Sequence, residues 1–117
     1  MRVTRLYTGR DGESHFEEID LPLMNAGAIG SLSTPFAVKK IIFRETDGTY
    51  HYHWHNAPER QFVLILEGQV EIEIGSGEKR LFSSGDILLA EDTTGHGHIS
   101  RAVNGGVRRS VFVVLES

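Results

Sequence analysis

The chain has no cysteine, only three prolines, and no apolar run near the roughly 20 residues a membrane-spanning helix needs. Without cysteine there is no disulfide scaffold, no thiolate metal site and no thiol nucleophile. No basic excess is present either. The net charge of -4 argues against nucleic acid as the main partner. No segment keeps a helical apolar period over ten or more residues, and there is no internal repeat, low-complexity tract or linker. Behind Arg2 and Arg5 no apolar stretch follows, so no signal peptide is expected and a cytoplasmic location is the default.

What is there fits one compact all-β domain: 117 residues, 39% of them apolar, in short apolar runs separated by turns. Gln69–Ile74 alternates, with Val70, Ile72 and Ile74 on one face and Gln69, Glu71 and Glu73 on the other. Phe62–Leu66 is apolar on both faces, as a strand buried on both sides should be. Glu67-Gly68 reads as the hairpin turn between them. Lys79–Phe82, Ile87–Ala90, Val111–Leu115 and Phe36–Glu45 read as further strands. Residues 8–34 read as loop with short strand pieces and one helical turn. The organisation expected is a single domain, with 1–35 as N-terminal strands and loops packing on a barrel formed by 36–117. The outer face of strand 62–66 needs cover from another sheet, the N-terminal segment or a second subunit, and a homodimer is expected.

Histidine is the unusual residue. Five of the six fall in two groups, His51, His53 and His55, then His96 and His98. Side chains alternate along a strand, so the first three point one way and Tyr50, Tyr52 and Trp54 the other. His96 and His98 share a face by the same logic. Brought together by a barrel, the two groups supply three or four nitrogen ligands, suited to zinc, iron, nickel or manganese. The alternative for each pair is a surface or core histidine already satisfied by the protein. His15 sits in a polar stretch and takes no role.

The pattern resembles the cupin family. Gly48, then His53-Trp54-His55, then Gln61 with six residues between it and Gly68, is similar to the first cupin motif, with Gln61 where a glutamate is usual. Gly85, with His96 at the matching distance, is similar to the second, with Glu91 and Thr93 in place of its proline and glycine. Trp54-His55-Asn56-Ala57-Pro58, Arg60-Gln61, Ala90–Gly95 and Gly97-His98 also resemble a group of small bacterial cupins, and there His55, Gln61 and His98 carry the pattern. The resemblance spans about residues 36–115.

It implies an antiparallel double-stranded β-helix, a jelly-roll-like barrel, with a ligand or metal inside its mouth. It places His53, His55, Gln61 and His96 as ligands of a divalent metal (Fe, Mn, Ni or Zn), with His98 the alternative to His96. Around them, Arg60, Glu91, Asp92, His98 and Arg101 are candidates for contacting a small-molecule ligand. Glu91 or Asp92 is suited to act as acid or base, or to brace an imidazole from behind; the alternative for both is a capped turn. Arg108 and Arg109 read as ordinary surface ion pairs.

Three functions follow: a mononuclear metal enzyme acting on a small organic acid or enol, as dioxygenase or isomerase; a metal-free barrel binding or sensing a small sugar or acid; and metal-free acid–base catalysis on a sugar by His98 with Asp92 or Glu91.

Overall fold

The computed structural model describes all 117 residues. The chain runs through twelve strands, β1 (Arg2–Thr8), β2 (Ser14–Asp20), β3 (Met24–Asn25), β4 (Ser31–Leu32), β5 (Val38–Thr46), β6 (His51–His55), β7 (Gln61–Glu67), β8 (Val70–Ile74), β9 (Lys79–Phe82), β10 (Ile87–Glu91), β11 (His98–Ala102) and β12 (Arg108–Leu115). One 3-10 turn, Gly27–Ile29, separates β3 from β4. A six-stranded sheet, β2-β1-β10-β7-β12-β5, packs on a four-stranded one, β6-β11-β8-β9, in an all-β jelly-roll-like barrel; β3 and β4 pair apart. Neighbours are antiparallel except β1 beside β10, which is parallel. No helix is long and apolar enough to cross a membrane.

Alternation places the core. Val70, Ile72 and Ile74 of β8 and Phe82 of β9 point inward against Val63, Ile65, Leu88 and Ala90 of the larger sheet. Each such side chain contributes about 1.5–3 kcal/mol by leaving water. The other face of the larger sheet is apolar too. Val3, Phe62, Leu89 and Leu115 are buried there under Leu21, and Phe36 stands edge-on to Phe62 at 5.1 Å. Cover for Phe62 and Leu64 thus comes from the N-terminal segment, while Leu66 on the same face stays exposed.

The segment 8–34 holds more strand than its sequence advertises. β2 pairs with β1 over seven residues, from Ser14 against Thr8 to Asp20 against Arg2. Its apolar residues hide the period because they serve different faces: Phe16 packs on the core between the sheets and Ile19 on the outer cluster. The expected helical turn is there, as Gly27–Ile29. Met24, Ile29 and Leu32 around it are exposed, as are Ile41 and Phe43 of β5, which lies at the edge of its sheet.

Candidate functional site

Between the sheets lies a cavity of about 350 Å³, within the range of small-molecule sites. Its walls are apolar, with Val63, Ile72, Phe82, Leu88 and Phe112 among them, and polar groups gather at its two ends. Gln61 sits opposite Val114 on β12, while Arg44 sits opposite Ser110. Four strand residues separate those positions, about 13 Å along the sheet.

His55, His98 and Gln61 form one end. His55 reaches it through a bulge. His98 pairs with His55 and Ser100 with Tyr52, so three steps on β6 match two on β11. The extra residue reverses the alternation at that point. Tyr50, Tyr52 and His55 therefore all line the cavity, and Tyr52 stacks on the His55 ring at 3.7 Å. His53 does not line it, and His51 and His53 are exposed outside. The strict alternation expected from the sequence fails here because of that one inserted residue.

The second pair separates for a related reason. Gly97 has φ 82°, a left-handed conformation, and a Cβ there would lie 2.2 Å from the His55 carbonyl oxygen. The chain turns at Gly97, and β11 begins only at His98. His96 stays outside, stacked on Trp54 at 4.1 Å and bonded to Glu13 at 2.8 Å. His98 enters the cavity.

Both cavity histidines are held at Nδ1. The His55 Nδ1–H donates to the His53 carbonyl at 2.7 Å, and the His98 Nδ1–H donates to Asp92 Oδ2 at 2.6 Å. Ser14 donates to the same Asp92 oxygen at 2.7 Å. Asp92 is fully buried behind His98, and its Oδ1 has no partner. With Nδ1 tethered, each ring presents its Nε2 to the cavity. Burial pushes the His55 imidazole below the ordinary histidine value, aided by nearby His98 and opposed by the His53 carbonyl.

The other candidates lie outside the cavity. Arg60 and Arg5 both bind Glu91, and Arg60 also donates to the Ser117 carbonyl. Burial disfavours the Glu91 carboxylate, but its two arginines outweigh this and hold the carboxyl below its usual range. Arg101 sits opposite Glu71 on the outer face of β8 and binds Glu71 and Glu73. It is the outward alternate of Ser100, which lines the cavity.

The opposite end holds Arg44, to which the sequence assigned no role, and Arg108, which read as a surface ion pair. Arg108, expected on the surface, is 3% exposed and lines the cavity with Arg44 and Tyr50. Arg108 and Phe112 line the cavity from β12 and Ser110 between them is buried, whereas Arg109 faces out and pairs with Glu45 and Glu67. The signal was in the sequence: extending the alternation of Val111–Leu115 back by three residues puts one arginine of the doublet inside. The Tyr50 hydroxyl bonds the Ser100 hydroxyl at 2.9 Å, and the Arg108 guanidinium lies 4.8 Å from the Tyr50 ring centre.

The donor set does not fit the divalent-metal shell that the family resemblance implies. Of the four ligands expected, His55 and Gln61 reach the cavity with His98, while His53 and His96 are turned away. No three His, Asp or Glu side chains converge anywhere in the chain. No carboxylate lines the cavity, and two guanidiniums do. A dication there would find two imidazoles and one amide oxygen in a positively charged enclosure.

No protein-family model matches the chain. Over 40 residues it is 38% identical to oryzines biosynthesis cluster protein J of Aspergillus oryzae, covering 34% of this chain and 22% of that protein. Among solved structures it is similar to the conserved SPY1581 protein of unknown function from Streptococcus pyogenes (TM-score 0.53, 23% identity, 66% of this chain and 63% of that one). It is also similar to protein NMB1881 of Neisseria meningitidis (TM-score 0.50, 15% identity, 67% and 76%). At these identities the likeness is one of fold. The chain spans about a fifth of the Aspergillus protein and under two thirds of the streptococcal one.

Proposed function

We propose that this chain is a small cupin whose barrel binds one small organic molecule without a metal, and that the molecule's polar group meets His55, His98 and Gln61. The observation behind this reading is the apolar-walled cavity with that polar group at one end and no carboxylate in its lining. Two imidazoles tethered at Nδ1 offer a ligand fixed acceptors at Nε2, and the Gln61 amide offers both donor and acceptor.

The test is NMR of the histidine-labelled protein, purified without a chelating tag. The His55 and His98 imidazole signals should move together when a small-molecule mixture is screened. They should stay in place when zinc or iron(II) is titrated. One equivalent of tightly bound metal shifting both rings would overturn the proposal.

A second reading is favoured by the 2.6 Å bond between His98 and Asp92. A carboxylate behind an imidazole orients it and stabilises its protonated form, which suits His98 to take a proton from the bound molecule. Exchange of ligand C–H for deuterium, catalysed with a limb in the histidine pH range, is the expected sign. A pH-independent exchange rate counts against it.

Association of two copies is part of the same proposal. The exposed Ile41 and Phe43 of edge strand β5, and Met24, Ile29 and Leu32, support it. A monomeric mass at micromolar concentration would contradict it.

A further inference from the structure

Arg44 and Arg108 face the cavity unanswered. Arg5, Arg60, Arg80, Arg101 and Arg109 each meet a carboxylate. Arg108 meets none: it is buried, and its Nε and Nη2 have no hydrogen-bond partner. Arg44 gives one bond, Nε to the Ser110 hydroxyl at 3.2 Å, and its guanidinium lies 4.3 Å from the Phe112 ring centre. Burial lowers the pKa of both groups, for Arg108 the proximity of Arg44 adds to the effect, and Tyr50 opposes it in both.

A buried guanidinium beside a half-buried one of like charge opposes folding, and unbonded guanidinium nitrogens add a desolvation cost. Such an arrangement makes physical sense when the missing partner is supplied from outside. A guanidinium presents paired donors in a plane, matched to the two oxygens of a carboxylate. Tyr50 lies between the two, its ring centre 4.8 Å from the Arg108 guanidinium and 5.6 Å from that of Arg44. An aromatic face of this kind orients a guanidinium without neutralising it.

We infer that Arg44 and Arg108 form a carboxylate-binding subsite, and that the ligand of the barrel is a small organic acid. This rests on the proposed binding role of the cavity and adds the class of molecule bound. The acid group sits at the arginine end. An apolar body lies along Val63, Ile72 and Phe112. The opposite end of the molecule reaches His55, His98 and Gln61, and the span of about 13 Å between the two register positions, shortened by side chains reaching inward, sets its length.

The test uses hexanoate and its neutral counterpart hexanamide as probes, measured by titration calorimetry on the wild-type chain and on Arg108→Met and Arg44→Met. Wild type should bind hexanoate at least about tenfold more tightly than hexanamide, the margin of a charge-assisted pair. Arg108→Met should remove that margin and raise the melting temperature of the empty protein. A merely structural Arg108 would lower it. Equal binding of the two probes by wild type overturns the subsite and leaves the binding cavity standing. Binding of neither overturns both. Should Arg108→Met not fold, the wild-type probe comparison and Arg44→Met decide alone.

Discussion

At one end of the cavity His98 donates to Asp92, Asp92 accepts from Ser14 as well, and His55 is tied to the His53 carbonyl. At the other, Arg108 is buried equally deeply and leaves two nitrogens without partners. Both ends hide polar groups between the same two sheets. The first is held by hydrogen bonds within the chain, with Asp92 Oδ1 left without a partner. The second leaves two guanidinium nitrogens unpaired, and a bound anion would stabilise it. Removing a group should therefore have opposite effects on stability at the two ends.

The largest effect belongs to Asp92. Asp92→Ala strips the acceptor from two buried donors and opens a void, so it should lower stability by about 3 kcal/mol, seen in urea unfolding. A near-neutral result would mean that His98 is not held by Asp92. Next comes Arg108→Met, expected to raise stability by about 1–3 kcal/mol, because it replaces an unpaired buried charge with an apolar side chain of similar reach. A lower melting temperature would erase the contrast between the ends.

His55 gives a smaller, pH-dependent effect. Its folded pKa lies below the unfolded one, so the unfolded chain binds more protons and folding is weakened on acidification. Stability should be complete above the ordinary histidine pKa of about 6.5 and fall as pH drops below it. His55→Gln should flatten that slope when urea midpoints are compared at about pH 5.5 and pH 7.5. An unchanged slope would assign it to other groups. The smallest effect is a control beside Arg108: Arg109→Ala, at an exposed ion pair, should leave the melting temperature unchanged within error.

Much of the fold was legible in the sequence, because β7, β8, β10 and β12 keep a clean period of two or bury both faces. β2 was not, since its apolar residues are split between two packing surfaces. For the site, His55, Gln61 and His98 were among the candidates and do meet in the cavity. The exclusion of His53 and His96 depends on two backbone events, a bulge in β6 and a left-handed glycine at 97. A parity count over one strand detects neither. Arg60 and Arg101 drew notice for their places near the motifs, yet their neighbours are carboxylates of the chain. Arg44 carried no signal, and Arg108 read as a surface ion pair although the period of two along β12, carried back from Val111–Leu115, puts it inside.

The central claim is that the barrel takes a small acid without a metal. The most direct measurement is calorimetric titration of hexanoate into protein pretreated with EDTA and dialysed, then repeated with zinc or iron(II) restored. Binding is expected at one site, with the same affinity in both titrations. Hexanoate binding that appears only once the metal is restored would contradict it.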